Sequence, residues 1–250
     1  MSPNALSFSE DAFRLYAGLS GAVALIPLSI PGTNTHVTLD INASDDPRAG
    51  QRGIVSTIAV GSAPLALDDS GGLIEIIAVG TFAGDVGLYV TEPSWVEPLI
   101  EETVSPRHGS HKVVAAGALC VAGWHMGSGS GIQQVRLCLQ LVFHPVHKHI
   151  LFVSTRRSPH IHVLDTRYLY GMAEPFHFAR LGDETRLSAL LQRNATDTHQ
   201  RLWIDISDDG RWIVSGDQDG MVRVWDCEEL EKPGVHAAVV EWKASRGASY

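Results

Sequence analysis

The most regular patterning in the chain lies in residues 201–226, RLWIDISDDGRWIVSGDQDGMVRVWD. Apolar and polar residues alternate from Leu202 to Ile206, which is the period of a half-buried strand. Ser207-Asp208-Asp209-Gly210 then reads as a turn, with glycine where a positive φ is needed. A second strand is predicted from Arg211 to Ser215, and a tight turn from Gly216 to Gly220. A third strand, Met221 to Trp225, alternates again and closes on Trp225-Asp226.

Aligning the chain with itself finds this three-strand signature four times. Residues 6–27 repeat it, with Phe8-Ser9-Glu10-Asp11 at the place of Ile206 to Asp209 and Gly21 to Ile26 at the place of Gly220 to Trp225. Residues 54–89 repeat it with Gly80 and Gly84 at the positions of Gly216 and Gly220, and Tyr89 at that of Trp225. Residues 139–167 repeat it with Leu164-Asp165 in the closing position. The closing residues Ile26, Tyr89, Leu164 and Trp225 are spaced by 63, 75 and 61 residues. That exceeds the roughly 40–45 residues of a propeller blade, and the excess falls in Gly-, Pro- and Ser-rich stretches.

The expected fold is therefore all-β: a WD-repeat β-propeller, with about four blades of what would be a seven-bladed ring. Blade motifs are expected at about 5–27, 51–90, 135–167 and 200–226, with residues 227–242 as the outer strand of the fourth. Residues 106–131, apolar and glycine-rich, read as an atypical insertion, either a flexible loop or a translated intron. Such a ring would lack material at both ends, which points either to a truncated chain, the favoured reading, or to a partner that covers two open sheet edges.

Within the motif, Ser215, Asp219, Gly220, Trp225 and Asp226 read as structural. Asp219 is placed to bond the turn backbone, Ser215 to lie across the indole of Trp225, and His199 to join them. Trp203 offers a stacking surface, although its strand position favours the core. In the third repeat His144 reads as a turn cap, and Asp165 with Arg167 as a tie between strands. His144, His147, His149, His160 and His162 invite a metal reading, but no Cys or carboxylate set completes a tetrahedral site. No metal or cofactor is expected. No G-x-S-x-G elbow, phosphate loop or H-E-x-x-H is present, so the chain reads as a non-enzyme.

Composition changes the picture in one respect. The net charge is −9 over 250 residues, yet residues 107–201 hold 11 Lys/Arg against 5 Asp/Glu, and ten of the twelve histidines. A basic middle in an acidic chain is either a local electrostatic footprint or an uneven scatter of surface charge. The three cysteines, Cys120, Cys138 and Cys227, form no C-x-x-C pair and suit a reducing compartment. No signal peptide or bilayer-length apolar run is evident, so a soluble intracellular protein is expected.

The wording between the repeats resembles the telomerase Cajal body protein family of WD-repeat proteins. Gln51-Arg52-Gly53-Ile54-Val55-Ser56 resembles its GQ-x-GI-[IV]-S opening, and Gly80 to Tyr89 its closing phrase that ends in GLY. Phe143-His144-Pro145 and Leu164-Asp165-Thr166-Arg167 resemble its FHP and WDLR elements, with Leu in place of Trp. Gln200-Arg201 leading into Ile204-Asp205 resembles its NQR-I-x-FDLD strand, and Val214 to Asp226 its VSGS-x-x-G-x-VSVWD pair.

The resemblance implies a nuclear, Cajal-body scaffold that binds small Cajal-body and small nuclear RNAs and the telomerase ribonucleoprotein, with protein partners and no membrane. In a propeller, the loops leading to third strands and those leading into blades share one face. Here that face would carry Arg52, Arg156, Arg157 and Arg201, suited to phosphates and unpaired bases. The same residues also fit an ordinary surface in a chain with 15 Arg to 4 Lys. A generic protein-binding propeller, such as a ligase adaptor or signalling platform, is the alternative.

Overall fold

The computed structural model describes residues 3–29, 36–41, 51, 53–64, 73–90, 113–114, 119–125, 138–166, 179–180, 187–198 and 200–244. They form four sheets. The first holds β1 (Ala5–Phe8), β2 (Arg14–Gly18), β3 (Ala22–Pro27) and β4 (Val37–Asp40). The second holds β5 (Val55–Pro64), β6 (Leu73–Thr81) and β7 (Asp85–Val90). Beyond them in chain order, β8 (Val113–Val114) pairs in parallel with β4, and β9 (Leu119–His125) pairs antiparallel with β7.

The third sheet is β10 (Cys138–Phe143), β11 (Ile150–Thr155), β12 (His160–Asp165) and, after β13 (Ala179–Arg180) on the edge of the second sheet, β14 (Leu187–Gln192). The fourth runs through β15 (Ile204–Ile206), β16 (Trp212–Gly216) and β17 (Met221–Asp226). Past a 3-10 turn at Cys227–Glu231, β18 (Val235–His236) joins the third sheet in parallel with β14, and β19 (Val240–Lys243) completes the fourth.

Two expectations are corrected here. Residues 106–131 are not simply an insertion, because Leu119–His125 supplies the outer strand of the second sheet and pairs with Asp85–Val90 through most of its length. Residues 227–242 are not one outer strand. The stretch is divided between two sheets, because the 3-10 turn capped by Asp226 redirects the chain. No sequence period marks either event. Strand pairing at the outer edge is a backbone matter, and side-chain alternation is weak there.

Packing follows strand alternation, since successive side chains point to opposite faces of a sheet. On β6, Ile77 and Val79 pack with Tyr16, Val23 and Leu25 of the first sheet, whereas Ile76 and Ala78 pack with Leu141, Leu151 and Val153 of the third. On β11, Leu151 and Val153 face the second sheet, and Phe152 faces Ile204, Ile213 and Trp225 of the fourth. Each interior sheet is thus buried on both faces, as propeller blades are.

The repeat is reproduced bond by bond in the turns between first and second strands. Ser9 Oγ donates to Asp11, whose carboxylate accepts the Phe13 N–H at 2.9 Å, while Arg14 N donates to Ser9 Oγ at 3.0 Å. In the fourth sheet Ser207 donates to Asp209, which accepts Arg211 N at 3.0 Å, and Trp212 N donates to Ser207 Oγ at 2.9 Å. These bonds stabilise both carboxylates in their charged form and hold Asp11 and Asp209 below the ordinary carboxylate range. The third sheet uses His144 instead, with Nδ1 accepting from Val146 N at 3.1 Å and His147 N at 2.8 Å.

Candidate nucleic-acid interface

Strand order brings three of the four singled-out arginines to one end of the stacked sheets. Arg156 and Arg157 sit in the turn between β11 and β12, and both are half-buried. Because β14 runs antiparallel to β12, with His160 opposite Gln192, the chain leaves β14 at this same end. It continues in residues 193–198 and 200–203, where Arg201 is exposed, and enters β15. Arg52 and Arg167 lie outside the described residues, as does His199.

This lead-in segment is pinned from several directions. The Arg193 amide donates to Pro159 O at 2.8 Å, tying the segment to the Arg156–Arg157 turn. Gln218 N donates to Asn194 O at 2.9 Å, and Asp197 N to Gln218 Oε1 at 2.9 Å, tying it to the turn between β16 and β17. Gln140 on β10 clamps Ile204 through both amide atoms, accepting from its N–H at 2.7 Å and donating to its carbonyl at 2.8 Å.

The side chain of Arg193, 2% exposed, is the polar centre between the third and fourth sheets. Its Nη1 donates to Ser215 Oγ at 3.1 Å, and its Nη2 to Ser154 Oγ at 2.9 Å and Thr155 O at 3.3 Å. Burial disfavours the guanidinium and brings its pKa down to about 10, while the charge of Asp217 opposes the shift. Nothing in the sequence marked Arg193, because its partners come from two strands in different repeats.

The expected bonding within the fourth repeat is partly redrawn. Asp217, not Asp219, holds the turn backbone: its Oδ1 accepts from Asp219 N at 2.9 Å and Met221 N at 3.0 Å, and its Oδ2 faces Arg223 Nε at 3.0 Å. The first residue of the turn reaches forward more readily than the third. Asp219 instead accepts from the Asn194 side chain. Ser215 donates to Trp203 O at 3.1 Å and accepts from Arg193 rather than serving the indole. The buried Trp225 Nε1 donates to His236 O at 3.3 Å, a partner delivered by β18. Gly220 has φ +72°, and Asp226 caps the following 3-10 turn.

In the second sheet the equivalent place is built from the phrases that carried the resemblance. Gln51 is fully buried, accepts from Tyr89 Oη at 2.9 Å and donates to Asp85 O at 3.1 Å. A Cβ at Gly87 would lie 2.8 Å from Gln51 Oε1 and 2.9 Å from Tyr89 Cε2, so a glycine there leaves room for both side chains.

Trp203 is not in the core. It is 58% exposed, with the Arg201 guanidinium 5.3 Å from its ring centroid. Its immediate neighbour Ile204 takes the inward position, so strand alternation turns Trp203 outward. Among the histidines, His144 and His162 are buried and His147 is exposed. Among the described residues no cluster of His, Cys, Asp or Glu is arranged to hold a metal ion, and no helix is long and apolar enough to cross a membrane.

No protein-family model matches the chain. It is 28% identical over 224 residues to telomerase Cajal body protein 1 of Mesocricetus auratus and, to the same extent, of Mus musculus. Each alignment covers 89% of this chain and 30% of the relative, so the chain spans less than a third of the curated relatives' length. Among solved structures, the β-propeller domain of Myceliophteria thermophila Cps50 (Swd1) superposes with TM-score 0.53 at 12% identity, over 98% of this chain and 56% of that one. Chaetomium thermophilum Sqt1, bound to the N-terminus of ribosomal protein L10, superposes with TM-score 0.54 at 17% identity, over 96% of this chain and 49% of that one. Repeat, register and superposition agree on a WD-repeat β-propeller architecture, and the resemblance read from the sequence is borne out by similarity to telomerase Cajal body protein 1 over 89% of the chain.

Proposed function

We propose that this chain is a non-enzymatic scaffold that binds small Cajal-body and small nuclear RNAs, telomerase RNA among them, for assembly in the nucleus. The observation that carries this reading is the similarity to telomerase Cajal body protein 1 along nearly the whole chain. The geometry supports it at one end of the sheets, where Arg156, Arg157 and Arg201 gather around a lead-in segment fixed by buried hydrogen bonds. Guanidinium groups suit phosphate recognition because their planar N–H array matches two oxygens at once.

RNA affinity measured at several salt concentrations for wild type and Arg156→Ala/Arg157→Ala tests the reading. Each lost phosphate contact lowers the log–log salt slope by roughly 0.7 for single strands. Unchanged affinity and slope would move the balance to a second reading, a protein-docking propeller. That reading draws on the superposition with Sqt1, which is solved with a ribosomal-protein segment bound.

A further inference from the structure

We infer that Trp203 and Arg201 form a seat for a single unpaired nucleobase, with the base stacked on the indole and the guanidinium donating to the adjoining phosphate. The inference rests on the RNA reading above and adds the class of ligand, single-stranded rather than duplex RNA.

Three observations carry it. First, a large apolar ring stands 58% exposed at the start of an inner strand, at the same end as Arg156 and Arg157. Second, the backbone beneath it is fixed residue by residue. The Leu202 carbonyl accepts from Ser154 Oγ at 3.5 Å, the Trp203 carbonyl from Ser215 Oγ at 3.1 Å, and Ile204 is clamped by Gln140. Side chains from three strands thus hold the ring outward, which lowers the ordering cost of binding. Third, among the described residues Arg201 has no carboxylate partner, and its guanidinium lies over the indole with its N–H donors uncommitted. The other such pair among the described residues differs: Arg211, 4.9 Å from the Trp212 ring centroid, is paired with Asp226 at 3.6 Å.

An aromatic face paired with an uncommitted cation matches the two chemistries of an unstacked nucleotide, a π-face and a phosphate. Duplex bases are already stacked on their neighbours and cannot reach such a ring.

The test uses the full chain and a short mixed-sequence RNA, offered single-stranded and annealed to its complement. Trp203→Ala is expected to weaken single-strand binding about ten-fold and leave duplex binding unchanged, with Trp203→Tyr restoring most of the loss. Wild-type affinity in Trp203→Ala, equal loss for both probes, or failure of Tyr to restore binding would overturn the seat. If Arg156→Ala/Arg157→Ala weakens binding while Trp203→Ala does not, the RNA reading stands and the seat alone falls. If the wild type binds neither probe, both fall. Thermal melting accompanies each variant. Should Trp203→Ala melt early, the comparison of wild type with Trp203→Tyr and Arg201→Gln decides, with Arg201→Gln expected to lose single-strand affinity.

Discussion

The turns between second and third strands in the third and fourth sheets occupy equivalent places and are stabilised in opposite ways. The fourth-sheet turn is self-sufficient. Asp217 satisfies two of its own N–H groups and Gly220 supplies the left-handed residue at φ +72°. The third-sheet turn has no such carboxylate in its Arg156-Arg157-Ser158-Pro159 run, and the left-handed position is taken by Arg157 at φ +55°. An L-residue there is strained by about 1–2 kcal/mol. Its turn is held by Ser158 Oγ, which accepts from His160 N at 3.2 Å, and by Arg193 from the neighbouring segment. One turn is built to be stable. The other carries arginines at a conformational cost, as functional positions often do.

The comparison breaks most visibly at Gly220. Gly220→Arg puts a bulky residue at φ +72° within the Asp217 turn, and a loss of at least about 2 kcal/mol is expected. Denaturant unfolding measures it, and a wild-type midpoint would refute the view that this turn is self-sufficient. Arg193→Met comes next. It removes the donor that the Ser154 and Ser215 hydroxyls and the Thr155 carbonyl accept from, yet relieves a buried charge whose pKa is brought down to about 10. The two effects partly offset, so a net loss of about 2 kcal/mol is expected. The loss should be accompanied by faster amide exchange in the third-sheet turn than in the fourth.

Arg157→Gly has the opposite sign. Relief of strain, reduced by the greater freedom of glycine in the unfolded chain, leaves a gain of up to about 1 kcal/mol. The same variant should bind RNA more weakly, and a stabilised variant with undiminished affinity would separate the strain from function.

The smallest effect lies at the opposite end of the same two sheets, where the His144 ring packs against Gly210, so close that a Cβ there would fall 2.2 Å from Cε1. Burial, then the nearby His147 and His149, lower the His144 pKa from its ordinary value near 6.5, while its bond to the Gly210 backbone opposes them. With the folded pKa depressed, the unfolded chain binds the proton more readily. Stability is full above pH 6.5 and falls as pH drops through the lowered folded value. A pH series of melting temperatures on wild type and His144→Asn should show this acid slope in wild type and a shallower one in the variant.

The sequence by itself determined the strand triplets, their turns and their fourfold repetition. Those are local matters, set by side-chain alternation, by Ser-x-Asp caps and by glycines at positive φ, and they recur within a dozen residues. It also carried the phrases around Gln51 and Gly87-Leu88-Tyr89 without revealing that they meet in one hydrogen-bonded set. Tertiary structure alone decided the outer strands, because Leu119–His125 pairs with Asp85–Val90 across a long intervening stretch and Val235–His236 crosses to the third sheet. It decided that Asp217 rather than Asp219 holds its turn, that Arg193 joins two repeats, and that Trp203 faces outward. In each case the deciding partner lies on another strand or in another sheet. The energy of a buried hydrogen bond or an exposed ring depends on what assembly places beside it, and no pattern along a single strand contains that.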